Sequence, residues 1–244
     1  MTDREDDYAA AIVIGASGGI GRALADLLDK RWTRGPVLRL SRNLCKDAEQ
    51  SYGSSKIDIT DEASVAAAAA SLKVRDITPG LIFVATGVLQ HGPVKAEKSL
   101  RDLDPVAMQQ TLMTNTIGPA LVMKHFLPLL PRKHRSVFAA LSARVGSIGD
   151  NRLGGWYSYR ASKAALNQLV HTAAIELKRR APKAICVAVH PGTVDTALTR
   201  AFTKTGLEVQ TPATAAGRIL SVLEGLTPEQ SGCFFDHLGK KVEW

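Results

Sequence analysis

The sequence predicts an α/β chain: a single doubly wound domain in which a seven-stranded parallel sheet carries helices on both faces. Three observations carry that expectation. Short apolar runs alternate with longer helical patterns along the whole chain, as strand–helix–strand crossovers require. Several of the runs are continuously apolar rather than alternating, the mark of strands covered on both faces. No linker, low-complexity tract, charge block or internal repeat divides the 244 residues, and a chain of that length buries a full core as one unit.

The elements follow in order. AAAIVI (9–14) reads as the first strand, and the helical pattern of 19–31 starts directly after a glycine-rich turn. PVLRLS (36–41) and SKIDI (55–59) are the next two strands. Asp61 caps the Ala-rich helix 61–73, because its carboxylate accepts from an unpaired first-turn N–H. GLIFVA (80–85) leads to the long helix 104–130, and SVFAAL (136–141) to the helix 157–180. AICVAV (184–189) precedes the helix 212–225, where Thr211-Pro212 supplies a cap and a first-turn proline. GCFFD (232–236) is the last strand. In such sheets ligands bind beyond the carboxyl ends of the strands.

Composition excludes several functions. The formal charge of +8 is scattered, with only short clusters at 132–135 and 178–180, so it reads as solvated surface rather than a nucleic-acid face. No stretch approaches the about 20 apolar residues of a membrane span, and the acidic start MTDREDDY is unlike a secretion signal. Cys45, Cys186 and Cys233 are dispersed and odd in number, with no metal-ligand spacing. A reduced, cytoplasmic protein without a metal is the expectation.

The first strand ends in IGASGGIG (14–21), with Gly15, Gly19 and Gly21 spaced G-x-x-x-G-x-G and Gly18 added. Glycine permits the tight turn and lets backbone approach a pyrophosphate, which the free N–H groups of the following helix attract. A bare strand–helix turn is the plain alternative; placement directly after the first strand favours the ligand. A reader of an unphosphorylated adenosine ribose places an acid near the end of the second strand. Here that region is RLSRN, with Ser41 and Arg42 at the exit and no acid between Asp29 and Asp47. A guanidinium suits a 2′-phosphate, so NADP is favoured, with NAD the alternative. Asp58 is placed either to accept from the adenine amino group or to start the next turn.

WYSYRASKAAL (156–166) holds two tyrosines and a lysine. Tyr159 and Lys163 are four apart, one turn along the same helix face, whereas Tyr157 diverges from Lys163. An ammonium beside a phenol favours the phenolate, and the helix N-terminus adds to it. The expectation is a Tyr159 phenol lowered from its ordinary pKa of about 10 into range for acid–base work.

GASGGIG, TLMTNTIGPA, YSYRASKAAL and HPGTVDT, in that order over nearly the whole chain, resemble the short-chain dehydrogenase/reductase family. GGWYSYRASKAALN and the segment GKKVEW resemble its C-factor and sniffer-like members. The resemblance implies a Rossmann-type fold, and a small carbonyl or alcohol substrate. It implies Tyr159 as proton donor, Lys163 on the nicotinamide ribose, and Asn115 holding a relay water. It carries cofactor contacts to Gly15, Ser17, Gly19, Ile20, Gly21, Ile59, Thr86, Gly87, Tyr159, Lys163, Pro191, Gly192, Val194 and Thr196. It implies a homodimer or homotetramer. The segment 193–211, between the turn after the sixth strand and the last helix, reads as a substrate lid, where Leu198, Phe202 and Leu207 suggest an apolar or mixed substrate; a helix packing its own apolar face is the plain alternative.

The chain departs from the family pattern at three places. Ile14 stands where the family often has threonine. VATG (84–87) replaces Asn-Asn-Ala-Gly. The family's catalytic serine stands three residues before a glycine after the fifth strand; in LSARVGS that glycine is Gly146 and the position is Ala143. Ser142 is one place early, and adjacent strand residues face opposite sides. A bulge that re-aims Ser142, a substitution by Ser147, or no serine at all are the readings left open, with Ser142 kept as the candidate. The leading function is an NADP(H)-dependent oxidoreductase acting on a carbonyl or alcohol. The rival is a C-factor-like signalling or scaffold protein that binds dinucleotide with weak or no turnover. An epimerase or dehydratase ranks last, because little chain follows Thr196.

Overall fold

A computed structural model describes residues 9–43, 54–90, 95–199 and 209–244. Cys45, Phe202 and Leu207 lie outside the described residues. Seven parallel strands form one sheet in the order β3-β2-β1-β4-β5-β6-β7: β1 Ala10–Ile14, β2 Val37–Ser41, β3 Ser54–Lys56, β4 Pro79–Val84, β5 Ser136–Leu141, β6 Ala184–His190 and β7 Phe234–Asp236. Strand order reverses between β1 and β4, which opens the crevice where doubly wound sheets take ligands.

Alternation along β1 sorts the two layers. Ala10, Ile12 and Ile14 join a core with Val65 and Ala68 of α2 (Glu62–Val74), Val122 and Phe126 of α4 (Gly118–Phe126), and Leu166 and Val170 of α5 (Tyr157–Arg180). Ala11 and Val13 face the other way, onto Leu24 and Leu28 of α1 (Gly19–Arg31) and Ile219 and Leu223 of α6 (Pro212–Gly225). Both faces are therefore dry, which is why the strands read as unbroken apolar runs. Phe83, Phe126, Phe138 and Phe234 are almost completely buried, each stabilising the fold by roughly 1.5–3 kcal/mol.

Three boundaries depart from the sequence expectation. β3 stops at Lys56, because the chain turns at Asp58, whose carboxylate accepts from the Thr60 N–H and hydroxyl. β7 starts at Phe234 rather than at 232; Gly232 has φ +83, which a strand does not take. The helix expected over 104–130 is α3 (Pro105–Leu112), a π-helical turn at Met113–Ile117, α4 and a 3-10 turn at Leu127–Leu129. The caps agree with expectation: Asp61 accepts from the Ala63 N–H, and Thr211 from the Thr214 N–H.

Candidate active site

The glycine turn packs too tightly for any side chain. A Cβ on Gly21 would lie 2.3 Å from the Gly15 carbonyl oxygen, and one on Gly19 would lie 2.8 Å from Thr196 Cγ2. Gly15 itself has φ +87. Gly18 caps α1 without a side-chain hydrogen bond, and no acid stands in the first turn, so the helix leaves N–H groups for an anion. Gly21→Ala tests this packing. Alanine gains about 1 kcal/mol of helix propensity, but the forced opening of a backbone contact costs about 1–3 kcal/mol. The expected result is a lower urea midpoint together with weakened dinucleotide binding.

A cavity of about 650 Å³ runs from this turn across the carboxyl ends of β4, β5 and β6. Of the sequence candidates, Gly19, Ile20, Thr86, Gly87, Ser142, Tyr159, Lys163, Pro191, Gly192, Val194 and Thr196 line it. Thr86 Oγ1 is buried with no hydrogen-bond partner, an orphan that a bound polar ligand would satisfy. Glycine cradle, uncapped helix and orphaned hydroxyl together fit a dinucleotide. Ser17 is exposed on the glycine turn. Ser41 donates to the Asn43 carbonyl, and Arg42 is exposed at the end of β2. The Asp58 carboxyl is held low: burial pulls it up, but the Thr60 hydrogen bonds and the nearby Arg42 outweigh it. Asp58 thus serves the turn that ends β3. Ile59 packs against Gly118, where a Cβ would lie 2.7 Å from Ile59 Cδ1.

Tyr159 and Lys163 are both buried, in the first two turns of α5. Lys163 Nζ donates to the Leu141 carbonyl at 2.8 Å and lies 5.9 Å from the Tyr159 ring centroid. The expectation of an acidified phenol is corrected here: burial pushes Tyr159 up to about 12 and Lys163 down to about 7. Desolvation by burial is the cause in both cases, because it penalises each charged form. Asn115, within the π turn, is fully buried. Its Oδ1 accepts from the Val88 N–H at 2.8 Å, while Nδ2 donates to the Val88 carbonyl at 2.8 Å and to Ser162 Oγ at 3.0 Å. It bonds across to another loop rather than to its own helix. The widened turn turns Asn115 inward, a use of π-bulges that recurs at functional sites.

Ser142 Oγ donates to Asn167 Oδ1 at 2.7 Å, and both residues are buried. Ser147 Oγ accepts from the Asp150 N–H and does not line the cavity. Ala143 does line it, in an apolar group with Tyr159, Leu89 and Ala96. Other wall residues were not among the expected site residues. His190 lines the cavity and is held down to about 4 by burial, then by His237 and Arg144, so it is neutral near pH 7. Trp156 meets Tyr159 edge-on at 6.3 Å.

Known proteins resemble this chain in sequence and in fold. The sequence profile of the short chain dehydrogenase family matches residues 9–206. C-signal of Myxococcus xanthus is 37% identical over 147 residues, 60% of this chain and 84% of that protein. A 1-hydroxy-2-glutathionyl-2-methyl-3-butene dehydrogenase of Rhodococcus is 32% identical over 188 residues, 77% of this chain and 78% of that one. An NADPH-bound carbonyl reductase from chicken fatty liver superposes with TM-score 0.82 at 27% identity, over 97% of this chain and 94% of that one. The chain belongs to the short-chain dehydrogenase/reductase family, and is an oxidoreductase with a nicotinamide dinucleotide cofactor and a small-molecule substrate. No helix among the described residues is long and apolar enough to cross a membrane.

Proposed function

We propose that the chain is an NADPH-dependent carbonyl reductase with Tyr159 as its proton donor. The observation that carries this reading is the burial of Tyr159 and Lys163 on the wall of the same cavity as Gly19 and Thr196. When bound, the reduced nicotinamide supplies the hydride. Tyr159 Oη gives its proton to the carbonyl oxygen. A phenol at about 12 stays protonated throughout the neutral range, and is still acidic enough to protonate an alkoxide, a much stronger base. That bias favours reduction over alcohol oxidation. Lys163 holds the ribose hydroxyls, and Asn115 keeps the Val88 backbone in place at the cavity wall. Gly15, Ser17, Gly19, Ile20 and Gly21 take the pyrophosphate side. Pro191, Gly192, Val194 and Thr196 take the nicotinamide side, with 193–211 as the lid.

Arg42 would select NADP, since no acid stands at the β2 exit to hold a free 2′-hydroxyl. Arg42→Ala is expected to weaken NADPH binding about tenfold to hundredfold, the loss of charge-assisted hydrogen bonds. NADH binding should hardly change. Fluorescence titration of both cofactors measures this, and equal losses would remove Arg42 from the 2′-phosphate.

A second reading, a dinucleotide-binding signalling protein with weak turnover, is favoured by one observation: Ala143 lines the wall beside Tyr159 while the Ser142 hydroxyl is engaged by Asn167. Following NADPH oxidation over a panel of aldehydes and ketones separates the two. Tight NADPH binding with no oxidation across the panel would establish the second.

A further inference from the structure

We propose that Trp156 determines substrate specificity, presenting an indole wall that selects flat, aromatic carbonyl compounds over saturated ones of the same size. This rests on the reading of the cavity as a carbonyl-reducing site.

The backbone shows how strongly the indole is held. Trp156 has φ 53 and ψ 46, left-handed, and follows Gly154 at φ 64 and Gly155 at φ 66. For a bulky L-residue that conformation costs roughly 1–2 kcal/mol. Among the described residues only Asp76 is another non-glycine with positive φ. Such strain persists only where surrounding contacts over-determine it, and here they do. The Trp156 N–H donates to the Glu97 carbonyl at 2.6 Å. The buried Glu97 carboxylate accepts from the Ser158 N–H at 3.3 Å and from the Ser158 hydroxyl. From the next turn, Arg160 donates to the carbonyls of Gly155 at 2.9 Å, Gly154 at 3.1 Å and Val145 at 3.3 Å.

These contacts fix the Trp156 backbone and so the direction in which its side chain leaves the chain. The indole lines the cavity and meets Tyr159 at 74°, beside the phenol that donates the proton. Leu89, Ala143, Val145 and Leu198 complete this end of the cavity. Among the described residues the one guanidinium on the wall, Arg144, stands 3.6 Å from Asp150 and 3.7 Å from Asp236, so its charge is matched within the protein and offers little to a substrate carboxylate. Among the described residues the wall around Tyr159 is thus mainly apolar, with an aromatic surface next to the acid. Ring–ring contact favours an aryl ligand beyond its buried area.

Calorimetry on the protein–NADP⁺ complex tests this without turnover, with acetophenone and cyclohexyl methyl ketone as a size-matched pair and pyruvate as the charged control. The wild type should bind acetophenone about fivefold to tenfold more tightly than its saturated partner. Trp156→Gly, which keeps the left-handed backbone without strain, should erase that ratio and leave NADP⁺ affinity within about twofold. Trp156→Phe should keep the ratio, and it serves as the test should the glycine variant fail to fold. Equal binding of the two ketones by the wild type, an unchanged ratio in Trp156→Gly, or pyruvate binding tightest would each overturn the proposal. A retained aryl preference without NADPH oxidation of any ketone would instead sink the reductase reading and leave the indole wall standing.

Discussion

Tyr159→Phe is expected to lower kcat/KM for carbonyl reduction about 10²- to 10⁴-fold, the usual contribution of a positioned general acid. NADPH affinity should stay within about twofold, because the ring and its packing are retained and only the hydroxyl is lost. Tyr159 is 9% exposed and packs against Ala143, Leu89 and Trp156, contacts that phenylalanine reproduces. Since the deletion removes an interaction made only as charge develops on the carbonyl oxygen, kcat should fall more than KM changes. The pH dependence adds a sign. The Tyr159 phenol is raised to about 12 by burial, so the donor form is present at all lower pH and its contribution to reduction is lost as pH rises toward that value. Alcohol oxidation needs the phenolate, so its rate should climb with pH, close to tenfold per unit below that range. Steady-state kinetics in both directions, from about pH 6 to about pH 10, read this out. A phenylalanine variant that reduces ketones at the wild-type rate would place the proton elsewhere.

The sheet was readable because burial on both faces turns strands into continuous apolar runs, as in VFAA (137–140) and ICVAV (185–189). The glycine turn was readable because Gly21 lies so close to the Gly15 carbonyl that no Cβ fits there, which leaves glycine as the residue the sequence must show. That Tyr159 and Lys163 share a helix face follows from their spacing, which gains weight only from the glycine turn upstream, and their ionisation is not legible there. Helical spacing says which side chains share a face, whereas desolvation depends on the strands and helices packed around that face. The π turn at Asn115 escaped for a similar reason. One extra residue in a helical turn leaves apolar periodicity almost unchanged, yet it redirects the asparagine onto Val88. Glu97 is joined to Ser158 from 61 positions away, and no local pattern announces such a cap. The expectation of a lid over 193–211 rests in part on Phe202 and Leu207, which lie outside the described residues, whereas Leu198 lines the cavity.

Ala143→Ser is the second change with a large expected effect, and it is a gain. A hydrogen-bond donor aimed at a developing oxyanion is worth about 10²- to 10³-fold in kcat when removed from a site built around it. Added to a site that has evolved without it, the expected gain is smaller, on the order of tenfold in kcat. Three features make residue 143 the place for it. Ala143 lines the cavity beside Tyr159, so an added oxygen can open onto that space; it is otherwise buried in the apolar group with Leu89 and Ala96, which would fix the hydroxyl; and it is followed by the 3-10 turn Arg144–Gly146. Ser142 cannot supply the donor in this arrangement, because its hydroxyl proton points to Asn167 Oδ1 at 2.7 Å. Ser142→Ala is therefore expected to leave kcat within about threefold while lowering stability by roughly 1–3 kcal/mol, since Asn167 then holds a buried acceptor without its donor. Kinetics at saturating NADPH and urea unfolding, run on both single variants, separate the roles. Should Ser142→Ala collapse kcat while Ala143→Ser changes nothing, the hydroxyl at 142 must swing from Asn167 to the substrate during turnover. The carbonyl would then be polarised by a cavity-lining residue whose hydroxyl is engaged by Asn167 in this arrangement, and the apolar character assigned to the Ala143 wall would have to be given up with it.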